Sequence, residues 1–423
     1  MGAVAGGGAG HLRRPTGKRM TDLIKATWRT AAGAAVAAAS MTGAALAQDD
    51  PIRIGFAIAQ SGWLSNYDSP PYRAAIMRIE EINANGGLLG RQIEYSVMDT
   101  KTDQQFAATV GQQMVAEGVD LLVVSCDYDF GAPAALAASQ AEIVNISLCA
   151  GDPKMGVQGV GPYTFSANNS GQSEGIAMAE YATEEMGLES VYILEDVTIE
   201  YNRSATAGFR AAWLDDRPEE SILGRDTFMN DDASIAAQIT RIRSLPEQPD
   251  AIYMCSITPG GASAVRQMRA AGLDMPILSC TAMVDNYWLD AAPDLADFWV
   301  PGFMSLYGDD PRPEMNDFIE AHVERWGEPP VSSYAVNGYS LIEAWELAVE
   351  RAGTVDTPAV VAEMEQFTDE PLLAGPSTYT PELHILLDRP YLMMKVEDGS
   401  FRAVEIFRAD FKPDLPLLFR VGQ

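Results

Sequence analysis

From Ile52 onward the chain alternates between short apolar runs and longer stretches whose apolar residues recur at helical spacing. "IRIGFAIA" reads as a buried strand. After the polar loop "SGWLSNYDS", Ala75, Ile76, Ile79 and Ile82 form one helical stripe. Ser69 is placed to cap that helix with Pro70 at its first position, where the missing N–H loses no partner. The glycines of "NANGG" end it, because glycine tolerates a left-handed exit. "QIEYSVMD" is a second strand, and Thr102 is expected to cap a helix over "DQQFAATVGQQMVAEG". "VDLLVVSC" is short and continuously apolar, as a strand covered on both faces should be. A helix over "APAALAASQA" and a strand over "IVNISLCA" follow.

The same cadence resumes after "GPYTFSANNSG". Helix "SEGIAMAEYATEEMG" leads to strand "SVYILEDV", and helix "ATAGFRAAWLDD" to strand "SILGRDTFM". Asp232 is expected to cap "ASIAAQITRIRSL". Strand "PDAIYMCS", helix "GASAVRQMRAAG" and strand "MPILSCTA" complete the second half. Strand–helix alternation predicts an α/β fold with parallel sheets, here two Rossmann-like lobes on one plan. Two further helices, split by "GEPP", are expected to return and pack on the first lobe. The tail "RPYLMMKVEDGSFRAVEIF" reads as a hairpin turning at Asp398-Gly399 and closing an edge of the second lobe.

The N-terminus adds a location. Arg13, Arg14, Lys18, Arg19, Lys25 and Arg29 precede a run of small apolar residues, then "ALAQDD". That order is the anatomy of a secretory signal peptide, residues 1–47, with cleavage expected near Ala47. Met20 is an alternative start. The 376 residues that remain exceed one ordinary core, which agrees with two lobes. The leader removes six basic residues and one acidic residue, so the net charge moves from −30 to −35. Such an acidic chain is a poor match for nucleic acid or anionic membrane. Catalysis has little to work with: His322 and His384 are the only histidines after the leader, and no nucleophile elbow, Walker loop or HExxH motif occurs. No enzyme activity, cofactor or metal is expected.

The order and spacing of "SGWLSNY", "INANGGLLGRQIE", "SLCAGDP", "GPYTFSANNS", "IEYNRSATAGF" and "ERWGEPPVSSYAVNGYSLIEAWELAVERAG" carry more than any one of these phrases. Over about residues 52–410 the chain resembles the type I periplasmic binding proteins of the branched-chain amino acid uptake family. The resemblance implies two lobes joined by a three-crossing hinge that closes on a ligand, with a membrane permease of an ABC importer reading the closed form. The lobes are then expected at 52–168 with 302–380 and at 169–301 with 381–423, in a periplasmic monomer that uses no nucleic acid.

The same resemblance directs attention to the loops at strand ends. In the first lobe these offer Ser61, Trp63 and Tyr67, then Asp127 and Tyr128, then Cys149 and Gly151. Tyr67 stands where the family packs an aromatic ring on its ligand. Tyr128 and Gly151 stand where it usually has hydroxyl donors. Asp127 or Asp129 has a second reading, as cap of a helix beginning near Pro133. The second lobe offers Tyr201, Glu195, Glu200, Ser256, Thr258, Thr281 and Asp285, and Tyr307 is expected to flank the cleft. No acid stands at Thr281 or Ala282, where the family places one for a ligand ammonium. These departures count against an ordinary branched-chain amino acid. The expected ligand is a small polar solute, amino acid or amino-acid-like; the alternatives are an amide such as urea, an aromatic carboxylate, or a sensory role.

Cys126 and Cys149 end consecutive strands of one lobe, and Cys255 and Cys280 do so in the other. Neighbouring strands lie about 4.8 Å apart, within the Cα reach of a disulfide. Two within-lobe disulfides therefore fit; four buried thiols or a metal shared by all four are the alternatives.

Overall fold

The computed structural model describes residues 50–232 and 234–422. The leader expected at 1–47 lies outside the described residues.

The first half contains β1 (Ile52–Ile58), α1 (Ser65–Ala84), β2 (Ile93–Asp99), α2 (Gln104–Ala116), β3 (Leu121–Val124), α3 (Tyr128–Gln140), β4 (Val144–Ser147) and β5 (Thr164–Ser166). Its five strands form a parallel sheet in the order β2-β1-β3-β4-β5. All four residues of β3 are wholly buried, as its unbroken apolar run requires.

The second half runs α4 (Gly171–Glu184), β6 (Val191–Asp196), α5 (Glu200–Trp213), β7 (Ile222–Phe228), α6 (Ala236–Arg243), β8 (Ala251–Tyr253), α7 (Gly260–Ala270), β9 (Ile277–Leu278) and β10 (Phe298–Gly302). The chain then returns to the first sheet with α8 (Pro313–Trp326) and α9 (Ala335–Ala352), both packed on α1, followed by α10 (Thr357–Met364) and the small pair β11 (Glu370–Leu372) and β12 (Gly375–Ser377). It crosses once more into the hairpin β13 (Tyr391–Glu397) and β14 (Ser400–Phe407), and ends on α11 (Leu415–Leu418), which lies against α5. The second sheet has the order β14-β13-β10-β9-β8-β6-β7; its pairs are parallel except that β13 runs antiparallel to β10 and β14 antiparallel to β13. Glu397 pairs Ser400 around Asp398 and Gly399, both at positive φ, which is the two-residue turn that Asp-Gly favours.

Helix α4 lies on α5 at closest approach. A Cβ on Gly175 would sit 1.9 Å from the Ala205 carbonyl oxygen, and one on Gly208 2.1 Å from that of Gln172, so neither position admits a side chain.

Several local expectations are corrected. Helix α1 begins at Ser65, not after Ser69, and carries Pro70 and Pro71 inside it. Its first turn forms from loop residues, Tyr67 N–H donating to the Leu64 carbonyl at 2.9 Å, so Tyr67 stands on a helix. The cap of α2 is Asp103, which accepts from Phe106 N–H at 2.7 Å, while Thr102 sits at positive φ before it. Asp127 caps α3, which begins at Tyr128 rather than near Pro133. Asp232 makes a bridge with Met229, and α6 begins at Ala236 without a side-chain cap. Strand β10 reads FWVPG: Phe, Trp and Val favour a strand, and Pro and Gly interrupt that signal within three residues. Its place between β9 and β13 is set by the sheet.

Candidate functional site

The parallel strands of each sheet end toward a shared cavity. From the first sheet's loops and α1 it is lined by Trp63, Tyr67, Cys126, Asp127 and Cys149. From the second half it is lined by Ile199, Tyr201, Ile257 and Ala282, and from the start of α9 by Tyr334. The space left between them is about 20 Å³, closed by direct contacts from side to side. Thr258 N–H donates to the Tyr67 hydroxyl at 3.0 Å, and that hydroxyl donates to the Ala282 carbonyl at 3.2 Å.

Aromatic rings form a row around it. Trp63 meets Phe130 and Tyr67 edge-on, with centroids 5.5 and 6.1 Å apart, and Tyr67 meets Tyr334 at 6.5 Å. The Tyr334 and Tyr201 hydroxyls lie 3.4 Å apart. Such edge-to-face contacts fix ring orientation as well as filling space. Gly151 belongs to this arrangement although it does not line the cavity. A Cβ there would lie 2.7 Å from the Tyr201 ring, so glycine is what lets that ring seat.

Four carboxyl groups surround the rings. Asp68, on the first turn of α1, accepts from Ala59 N–H at 2.6 Å and Cys126 N–H at 2.7 Å. It ties the ends of β1 and β3 together, and burial raises its pKa to about 6. Asp127 is buried, and desolvation, then the charge of Asp129, pushes its pKa well up. Glu174, on α4, is wholly buried; the Tyr201 hydroxyl donates to its Oε2 at 2.6 Å and Thr281 N–H at 3.2 Å, while Oε1 has no partner. Desolvation lifts it to about 7. Asp285 is also wholly buried and has no well-formed hydrogen bond at either oxygen, with the Ser332 and Tyr287 hydroxyls beside it. Burial raises it to about 8.

Sulfur closes the floor. Cys126 and Cys149 are bonded, with Cα atoms 4.3 Å apart, joining the ends of β3 and β4. Cys255 and Cys280 are bonded at 5.0 Å and join the ends of β8 and β9.

Of the residues singled out from sequence, Trp63, Tyr67, Asp127, Cys149 and Tyr201 meet at this cavity. Thr281 is buried behind it, its N–H on Glu174. Tyr128 faces away, with the Lys154 ammonium 4.9 Å from its ring, and Tyr128 lines a separate groove along α3. Ser256 is used inside the second half, donating to Asp196 at 2.5 Å. Tyr307 is 37 % exposed, with the Arg402 guanidinium 6.0 Å from its ring. Sequence reasoning did not select Tyr334 or Glu174. Tyr334 lies inside the quoted phrase "VSSYAVNGY", which is a usable signal, whereas Glu174 looks like an ordinary charged position on a helix.

The rim carries a second set of contacts. Asp152 and Lys154, from the loop after β4, meet Glu200 and Ser204 of α5 and Arg420 of the tail. Arg420 Nη1 lies 3.0 Å from Asp152, and both Arg420 and Lys154 pair with Glu200. Asp129 accepts from Glu200 N–H at 2.9 Å.

Comparison with known proteins agrees with this geometry. The chain is 22% identical to a Leu/Ile/Val-binding protein homolog 1 of Brucella abortus over 82% of its own length and 91% of the relative's. Its fold is similar to that of the branched-chain amino acid transporter substrate binding protein LivJ from Streptococcus pneumoniae, solved with isoleucine (TM-score 0.74, 22% identity, 86% and 100% of the two chains covered). It is also similar to an ABC transporter solute binding protein from Rhodopseudomonas palustris, solved with 3,4-dihydroxy benzoic acid (TM-score 0.70, 20% identity, 86% and 99% covered). Residues 51–400 match the family described as periplasmic binding protein. The chain belongs to the periplasmic binding protein family, whose members hold a solute for transport and do not transform it.

Proposed function

We propose that this protein is the substrate-binding component of an ABC importer and captures a small polar solute, amino acid or amino-acid-like, by closing two lobes around it. The observation that carries this reading is the cavity itself, walled by strand ends of two separate sheets and crossed by direct hydrogen bonds. A solute touching both walls favours the closed form through its differential affinity for that form. The lobes of this reading are residues 52–168 with 302–380 and 169–301 with 381–423, and they hinge at the three passages between sheets. Family membership implies a periplasmic location. In this reading residues 1–47 are the export signal, the protein works as a monomer, its macromolecular partner is a membrane permease, and the acidic chain has no business with nucleic acid.

A thermal-shift screen across amino acids, amides and aromatic acids tests it, followed by small-angle scattering with any hit. A saturable rise in melting temperature with a smaller radius of gyration is expected. Product formed in the same wells, or a hit that leaves the radius unchanged, would refute capture by closure.

A further inference from the structure

The cavity is acidic and aromatic, and no cationic side chain lines it. Asp127 is in its wall; Glu174 and Asp285 stand directly behind Tyr201 and Tyr67. Both are wholly buried, with only neutral hydroxyl and amide groups beside them and no well-formed hydrogen bond at Glu174 Oε1 or at either Asp285 oxygen. Buried carboxyls with no cation beside them are costly and rare, so two beside one cavity require an explanation. The cations nearest the cleft, Lys154 and Arg420, are held at the rim by Glu200 and Asp152.

We infer that the solute of this cleft is an organic cation, a substituted ammonium without a free carboxylate, held over Trp63, Tyr67, Tyr201 and Tyr334 and neutralised by Asp285 and Glu174. This inference rests on the solute-capture reading above and narrows its ligand class. Aromatic faces attract a cation through the ring quadrupole, most strongly once it is desolvated, and a set of such rings encloses an alkylated ammonium on several sides. Burial favours the protonated form of Glu174 and Asp285, so each releases its proton as the cation enters and gains the positive partner it lacks, which offsets its burial. An anion would meet three acidic side chains and no compensating charge.

The test is calorimetry on the purified exported chain with five probes: choline and tetramethylammonium as cations, leucine as a zwitterion, benzoate as an anion and urea as a neutral amide. Choline and tetramethylammonium should bind at least tenfold more tightly than the other three. Asp285→Asn and Glu174→Gln should each weaken choline at least tenfold while raising the melting temperature of the free protein, because each removes a buried ionisable group. That opposite sign separates loss of the site from loss of the fold. Leucine, benzoate or urea binding as tightly as the cations would overturn the ligand class and leave solute capture standing. Unchanged choline affinity in both variants would overturn the role of the carboxyls. If no probe binds, this inference falls, while the capture reading is judged by the wider thermal-shift screen and the scattering of its hits.

Discussion

Glu174 illustrates how much one buried carboxyl sets. Its ordinary pKa is 4.5, and burial moves it to about 7. Below the ordinary value, folded and unfolded chains both hold the proton. Between there and about 7 the unfolded chain releases it and the folded chain does not, so stability falls as pH rises through that window. Glu174→Gln keeps an acceptor for the Tyr201 hydroxyl and cannot ionise. Its advantage over the parent should be absent near pH 4 and reach at most roughly 3 kcal/mol at pH 8. Urea unfolding at the two pH values reads this directly, and an advantage independent of pH would refute it. Gly151 makes a second case. An added methyl there strikes the Tyr201 ring at 2.7 Å. Gly151→Ala should lose about 1–3 kcal/mol from overpacking, with near-ultraviolet dichroism reporting a displaced tyrosine. Stability unchanged to within error would show that the ring moves aside freely.

At the scale of elements, the disulfides bind strand ends where the site is built. Cys126–Cys149 and Cys255–Cys280 span 23 and 25 residues. Closing a loop of that length removes chain entropy from the unfolded state worth about 3 kcal/mol per bond. The unreduced protein should weigh four hydrogens less than the reduced protein by mass spectrometry, and reduction should lower the melting temperature. Four alkylatable thiols before reduction would dismiss both bonds. Helix α1 shows a different dependence. Its stripe of Ala75, Ile76, Ile79 and Ile82 is visible in sequence, but its first turn is not, because no capping residue stands at Leu64. That turn forms because Asp68 anchors it to the ends of β1 and β3. Tyr67 is aimed into the cavity by a contact between residues far apart in the chain.

For the whole molecule, closure is held at two depths. The inner contacts are Tyr67 with Thr258 and Ala282; the outer ones join Asp152 and Lys154 to Glu200 and Arg420. The Lys154–Glu200 pair is partly exposed, so salt screens it and it contributes on the order of 0.2–1 kcal/mol, whereas Asp152 beneath Arg420 is buried. Lys154→Met should therefore shift the closed-to-open ratio by no more than about fivefold, an effect that shrinks in high salt. Fluorescence transfer between labels on the two sheets measures that ratio. A larger shift, or one indifferent to salt, would mean that the rim does more than hold charges together.

The alternation of strands and helices, the doubling of the α/β plan, the hairpin at Asp398-Gly399 and the aromatic and acidic candidates at strand ends are local properties, and the sequence by itself determined them. Periodicity and turn chemistry act over a few residues, so they can be read without the fold. Strand β10 with its Pro and Gly, the first turn of α1, and the turning away of Tyr128, Ser256 and Tyr307 were decided only by tertiary structure. So was the convergence of Glu174, Asp285 and Tyr334 on one cavity. Each of these depends on neighbours beyond the reach of local periodicity, from 26 residues for Tyr128 and Lys154 to 133 for Tyr201 and Tyr334, or on a sheet position that only its partners define. Burial then changes what a carboxyl is: the residue name supplies the group, and its surroundings fix its charge.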